Sequence, residues 1–272
     1  MGTGPRLEEV AALVEAAARA ELVPRFRRVA RAHKADGSVV TEADTAMERR
    51  VREALAARWP GIPFLGEEMP RAEQERLLAG AGGRFWCLDP LDGTSNFASG
   101  IPFFSVSLAL VEDGAPVLGV VHDPARGETF AAARGGGATL DGTPLAAPPP
   151  APPLERCIAL VDLKRLEAGL AARLAAERPY ASQRSFGSVA LDWCWIAAGR
   201  GHVYVHGRQR IWDFAAGSLI LAEAGGRSCT LEGEPVFRPT LEGRSAVAAL
   251  DPALFGAWCR WLGVPDGGGA GG

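Results

Sequence analysis

Three groups of acidic residues stand where carboxylates could do chemistry rather than only solvate a surface. Glu67 and Glu68 follow a short apolar run in Gly66-Glu67-Glu68. Asp89 and Asp92 bracket a proline turn in Asp89-Pro90-Leu91-Asp92-Gly93-Thr94. Asp213 follows Trp212 at the head of an apolar segment. Hard divalent cations such as Mg²⁺ take carboxylate and carbonyl oxygens in near-octahedral geometry, with water and substrate phosphate filling the remaining positions. An Asp-x-x-Asp turn can offer both carboxylates, and the Leu91 carbonyl between them, to one or two such ions. Gly93 and Thr94 add what a phosphate needs: no side chain to obstruct approach, and free N–H groups at a helix start. Acidic metal ligands beside a phosphate cradle point to metal-assisted phosphoryl transfer. Each part also has a plainer reading. Glu67 and Asp213 can be favourable charges near helix N-termini, Asp89-Pro90 and Asp92-Gly93 can be simple turns, and Thr41-x-x-Asp44 is a capping-box pattern.

The elements that must position these residues can be read from periodicity. Leu7, Val10, Leu13, Val14, Ala17 and Ala18 predict an amphipathic helix from Leu7 to about Arg31, with Pro24 as a candidate break. A second helix is predicted over 41–59, closed by Pro60-Gly61. A strand over 62–66 leads into Glu67, a short polar helix follows, and a strand over 84–88 ends at Asp89. The period then becomes two, predicting strands over 103–111, 116–122 and 128–133. A proline-rich run over 144–153 reads as a linker. Beyond it, strands are predicted over 157–161, 202–205, 227–231 and 246–250. Helices alternate with them over 163–177, 187–199, 212–224 and 252–262. The pattern is α+β, with stacked helix and sheet layers in two lobes. The expected boundaries are 1–143 for a lobe with most of the acidic motifs, 144–153 for the linker, 154–264 for a lobe completing the site, and 265–272 for a flexible tail.

The 272 residues carry a formal net charge of −3, with 47% hydrophobic and 22% charged residues. That balance excludes a mainly disordered chain and a generally basic nucleic-acid binder. No apolar run approaches the roughly 20 residues that span a bilayer. Glu8, Glu9 and Glu15 interrupt any signal-peptide core, so the default expectation is a cytoplasmic protein. The five cysteines form no CxxC pair, and most sit among apolar neighbours, which predicts buried free thiols rather than a disulfide framework or a zinc site.

The string Trp86-Cys87-Leu88-Asp89-Pro90-Leu91-Asp92-Gly93-Thr94-Ser95-Asn96-Phe97 resembles the signature of the inositol monophosphatase family. Gly66-Glu67-Glu68 upstream and Trp212-Asp213-Phe214-Ala215-Ala216-Gly217 downstream are similar to its other two motifs, in order. The block from Lys34 to Asp44, the run Arg184-Ser185-Phe186-Gly187-Ser188 and the run Glu223-Ala224-Gly225-Gly226 extend the likeness over about residues 7–262. The resemblance implies a five-layered αβαβα sandwich of the inositol monophosphatase / fructose-1,6-bisphosphatase type. It also implies Mg²⁺-dependent hydrolysis of small phosphomonoesters, inhibition by Li⁺ and usually a homodimer. By motif position, Glu67, Asp89 and the Leu91 carbonyl would hold a first Mg²⁺. Asp89, Asp92 and Asp213 would hold a second, and Glu67 would serve a weaker third. Asp44 and Thr94 would orient a metal-activated water for in-line attack, with Glu67 as the third catalytic residue. The N–H groups of Gly93 and Thr94 would bind the phosphate. Asp92, Gly187, Ser188, His206 and Arg210 would line the substrate, and Lys34 and Glu68 would support the ligands from behind. The chain's bases are almost all arginine; Lys34 and Lys164 are its only lysines.

The likeness departs from the family at one informative place. Relatives that act on inositol phosphates usually carry a glutamate at the position of His206, reaching the inositol hydroxyls. Arg208, Gln209 and Arg210 follow it here, in what reads as a basic loop. Inositol 1-phosphate remains the first substrate expected. Histidinol phosphate, fructose bisphosphate or a 3′-phosphonucleotide are the alternatives within the same chemistry. An alternative of another class is an RNA or transcription-complex binding role, since Arg25, Arg27, Arg28, Arg31 and Lys34 make a locally basic stretch.

Overall fold

The computed structural model describes residues 4–28, 32–33, 39–80, 83–145 and 150–265. Lys34, Arg31, residues 146–149 of the proline-rich run and residues 266–272 of the tail lie outside the described residues. Helix α1 (Leu7–Glu21) buries Val10, Leu13, Val14, Ala17 and Ala18 along one stripe. It ends well before the expected Arg31, because Pro24 lacks an N–H and pushes the preceding residue out of the helical region. Residues 22–28 are turns. Strands β1 (Ala32–His33) and β2 (Val39–Val40) form a two-stranded antiparallel pair. Helix α2 (Glu42–Arg58) starts from Thr41 as its N-cap.

The first large sheet comprises β3 (Phe64–Gly66), β4 (Phe85–Asp92), β5 (Ser105–Glu112), β6 (Ala115–Asp123), β7 (Glu128–Ala133), β8 (Ala138–Leu140) and β9 (Thr143–Pro144), side by side in that order. Helix α3 (Arg71–Gly80) joins β3 to β4, and α4 (Thr94–Ser99) follows β4. The β3–β4 pair is parallel and the rest antiparallel. The strand expected to stop at Asp89 runs on to Asp92. Its register slips there: Asp89 lies opposite Ser107 and Asp92 opposite Ser105. Residues three apart on a regular strand face opposite sides, and the extra residue of this bulge turns both carboxylates to one face.

The second half supplies β10 (Ile158–Asp162), α5 (Ala168–Glu177), β11 (Ser182–Arg184), α6 (Val189–Ala197), β12 (Val203–Gln209), α7 (Ile211–Glu223), β13 (Arg227–Cys229), β14 (Arg244–Ala249) and α8 (Pro252–Leu262). The five strands lie in the order β11-β10-β12-β14-β13. The helix expected from Leu163 is a short 3₁₀ turn, Leu163–Arg165, followed by α5, whose N-cap Glu167 accepts from the Gly169 and Leu170 N–H groups. The supposed basic loop after Val205 is instead strand. His206 pairs in register with Asp162 on one side and Ala246 on the other, and both His206 and Gln209 are buried.

Alternation along the strands sorts the core into layers. Trp86, Leu88, Leu108, Leu110 and Val120 face α1 and α2. Their neighbours Phe85, Cys87, Ala109, Val111 and Val121 face α6 and α7. Those two helices also take Leu160, Tyr204, Ala246 and Ala248 from the second sheet. The other face of that sheet, with Ala159, Val161, Val203, Val205 and Val247, is covered by α5 and α8. The result is a helix–sheet–helix–sheet–helix sandwich, in which a helix layer from the second half packs on the sheet of the first.

Candidate active site

The site is built at the bulged end of β4. Asp89 Oδ1 accepts the Leu91 N–H at 2.9 Å, an Asx turn that fixes the chain as it leaves the strand. Asp92 Oδ2 accepts from the Ser188 hydroxyl at 2.6 Å and from the Ala190 N–H at 2.7 Å. The start of α6 therefore clasps Asp92, and its positive dipole end favours the anion. Gly93 follows at φ 91, with the Phe103 and Gly187 carbonyls 3.1 and 3.2 Å from where a Cβ would stand. Only glycine fits that conformation and that approach.

Two further aspartates reach the site by the same local device. Asp44 occupies the third position of α2 and Asp213 the third position of α7. Asp44 Oδ2 accepts the Thr41 N–H at 2.8 Å and its hydroxyl at 2.7 Å, while the Ala43 N–H donates to Thr41 Oγ1 at 3.2 Å. The capping box read from the sequence is thus real. Its second oxygen does something else: Asp44 Oδ1 lies 3.0 Å from Thr94 Oγ1, which also lies 2.9 Å from the Leu91 carbonyl. One hydroxyl proton can serve only one of these acceptors at a time. Asp213 Oδ2 accepts the Arg210 N–H at 2.8 Å. In both helices the cap orients a carboxylate that projects toward β4.

Glu67 is carried by the turn after β3, its N–H donating to the Leu88 carbonyl at 3.2 Å. The sequence reading missed what holds that turn. Glu48, one helical turn beyond Asp44 on α2, is buried and accepts the Glu68 N–H at 2.9 Å. Its carboxylate fills the space a Cβ at Gly66 would need. Gln74 of α3 is also buried and donates to the Gly66 carbonyl at 2.8 Å. An acid at i+4 from Asp44, on the buried face of an amphipathic helix, was the available signal.

The carboxylates feel one another strongly. Burial pushes Asp89 well above the usual carboxylate range, and the charges of Glu67, Asp92 and Asp213 push it further. Burial raises Asp92 to about 6 although Ser188 and Ala190 donate to it, with Glu67 adding repulsion. Asp213 is raised by burial and by Asp92 and Glu67, against the lowering influence of Arg210. Asp44 is raised by burial, and Glu67 adds to it. Like charges gathered away from water are what a polyvalent cation relieves. The donors are carboxylate and carbonyl oxygens without sulfur or imidazole, which suits a hard cation. Among the described residues no three His, Cys, Asp or Glu side chains are already drawn into a metal cage.

The expected substrate-side residues divide. Ser188 is buried against Asp92, and Gly187, at φ 84, backs onto Gly93. Arg210 sits beside Asp213 through its backbone, but its guanidinium donates to the Leu241 carbonyl at 2.7 Å. His206 is turned toward the second sheet: Nδ1 accepts the Arg208 N–H at 3.1 Å, so Nε2 carries the proton and faces Asp162 Oδ2 at 3.6 Å. Asp162 was not singled out in the sequence. Its carboxyl is held below the usual range, burial being outweighed by the His206 hydrogen bond and nearby Lys164 and Arg165. Arg25 of the basic stretch is engaged by Glu21 at 2.7 Å, and Glu21 also takes Arg50 at 2.8 Å.

A five-layered sandwich that brings three acidic motifs and a threonine–aspartate pair to one strand end defines a phosphoric monoester hydrolase. A sequence model of the inositol monophosphatase family matches residues 6–260, and the chain belongs to that family. It is 36% identical over 206 residues to a Nus factor SuhB from Xylella fastidiosa, covering 71% of this chain and 69% of that one. It is 37% identical over 205 residues to an inositol-1-monophosphatase from Rhizobium meliloti, covering 74% and 75%. A histidinol-phosphatase from Mycobacterium tuberculosis is 34% identical over 228 residues, covering 79% and 81%. The fold is similar to that of an IMPase from Thermotoga maritima, with a TM-score of 0.79 at 30% identity over 94% of this chain and 95% of that one. Among the described residues no helix is long and apolar enough to cross a membrane.

Proposed function

We propose that this protein hydrolyses a small phosphomonoester of the inositol 1-phosphate type with the help of Mg²⁺. The observation that carries the reading is the set of mutually repelling carboxylates around the Thr94–Asp44 pair. Glu67, Asp89, Asp92, Asp213 and the Leu91 carbonyl would hold the cations. When bound, Mg²⁺ supplies positive charge that lowers the pKa of a water and stabilises the departing alkoxide oxygen.

The remaining chemistry belongs to the chain. Asp44, fixed by its cap, accepts a proton passed through the Thr94 hydroxyl. With a cation held by the Leu91 carbonyl, Asp44 would be left as the acceptor that orients the Thr94 hydroxyl. The Gly93 and Thr94 N–H groups, at the bare start of α4, hold the phosphate oxygens as charge redistributes. His206, buried with its two ring nitrogens turned to the Arg208 N–H and to Asp162, puts an imidazole where inositol-type relatives usually carry a glutamate. The loss of that negative charge favours a neutral polyol over a cationic alcohol.

The experiment is phosphate release from purified protein with Mg²⁺ across inositol 1-phosphate, histidinol phosphate, fructose 1,6-bisphosphate and a 3′-phosphonucleotide. Release that depends on Mg²⁺ and is highest with inositol 1-phosphate is the expected result. No release from any of the four sinks the hydrolase reading, and a preference for another member replaces the substrate while keeping the chemistry.

A further inference from the structure

The cysteines divide into two kinds. Cys87, Cys157 and Cys194 are buried. Burial pushes all three thiols up, Cys157 to about 11, so little thiolate is available for reaction. Cys229 and Cys259 are only half-buried, and their sulfurs lie 4.0 Å apart although 30 residues separate them. Cys229 ends β13, the edge strand of the second sheet, opposite Val247. Cys259 lies on α8, which covers that face of the sheet, and both sulfurs pack at the margin of its core. With the Cys259 S–H as donor, the Cys229 thiol is held below its usual range. Among the described residues no third His, Cys, Asp or Glu completes a metal site around the pair.

We propose that Cys229 and Cys259 are an oxidation site at which a peroxide converts the thiol pair into a reversible disulfide, tying the sheet edge to the terminal helix. The Cys229 thiolate attacks one peroxide oxygen. The O–O bond breaks, a sulfenic acid forms on Cys229, and the leaving hydroxide takes a proton to become water. The Cys259 sulfur then attacks the Cys229 sulfur. The S–S bond forms as the S–O bond breaks, and the departing hydroxide leaves as water with the Cys259 proton. Two thiols lose two electrons, one peroxide gains them, and two waters result. The sulfurs must close from their present contact to a bond of about 2.05 Å.

The test uses the full chain, reduced, freed of reductant and treated with hydrogen peroxide. Titratable thiols in denaturant should fall by two from the five of the sequence, and intact mass should drop by about 2 Da. Peptide mapping should join Cys229 to Cys259, and dithiothreitol should reverse the change. Cys229→Ser and Cys259→Ser should each abolish the crosslink. The oxidised protein should melt higher than the reduced one by roughly 5 °C, a difference absent when both positions are serine. An unchanged thiol count, a disulfide to another cysteine, or a crosslink that survives either serine variant overturns the proposal. Equal melting of the two forms overturns the tie between strand and helix.

Discussion

At the end of β4, Asp89, Leu91, Asp92 and Thr94 arrive as close neighbours in sequence, and helix caps deliver Asp44 and Asp213 to the same place. In the middle of β12, His206 stands apart from any sequence motif, and its partner Asp162 comes from β10 through parallel pairing. The first region concentrates negative charge that repels itself; the second balances its one carboxylate with a histidine and nearby cations. Mutual repulsion of this kind is what bound cations relieve, and on the proposed function each of these side chains is needed for that chemistry. The His206–Asp162 pair balances its charge without a bound cation. Under the proposed function, hydrolysis belongs to the first region and recognition to the second, a separation that substitution can test.

The sharpest way to break that separation is to remove one ligand. Asp92→Asn should lower Mg²⁺-dependent phosphate release by about a thousandfold or more, while the circular dichroism spectrum stays native because asparagine keeps an acceptor for Ser188 and Ala190. Retained turnover in that variant would mean that the β4 cluster is not where the chemistry happens. Thr94→Ala removes the hydroxyl between Asp44 and the Leu91 carbonyl and should cost about a hundredfold in kcat with a smaller change in KM. His206→Glu should act on the other region. It places a carboxylate against Asp162 and should shift the ratio of activities on inositol 1-phosphate and histidinol phosphate by about tenfold, leaving turnover of the better substrate within a few-fold. A collapse on every substrate would join the two regions instead.

The smallest expected effect is on stability. Asp92 is raised to about 6 from an ordinary value of 3.8. The folded state therefore holds that proton more tightly than the unfolded chain. The resulting stabilisation is complete below the unfolded value and is lost as pH rises through about 6. Glu21 and Glu128 are shifted the opposite way by Arg50 and Arg200, and their contribution is lost only at lower pH. Metal-free protein should consequently melt a few degrees higher at pH 5 than at pH 7.5. Mg²⁺ should raise the melting temperature more at pH 7.5 than at pH 5. Scanning calorimetry with and without chelator reads both, and a metal effect independent of pH would separate Asp92 from the binding event.

Much of this was legible in the sequence because it is local. Apolar spacing gave α1, α2, α7 and α8, with errors at ends such as Pro24, where backbone geometry outweighs hydrophobic pattern. The strand through Asp89 looked finished because Pro90 removes a donor, yet a bulge at an irregular ladder tolerates it. Glu48 was passed over since a single acid on a helix reads as solvated until the turn it bonds is known. The buried end of β12 looked like a loop because its arginines suggest exposure, while its neighbours on both sides were unknown.

By itself, the sequence determined which carboxylates share a turn with Gly93 and Thr94, and that Asp44 stands three residues after a capping Thr41. Those features follow from spacings of three or four residues, and such spacings fix geometry wherever the segment lies. The tertiary structure alone decided that Asp162 meets His206, that Glu48 underlies Gly66, that α6 clasps Asp92, and that Cys229 meets Cys259. Each of these depends on sheet order and register, which are set by burying both faces of both sheets at once, and no local spacing carries that information.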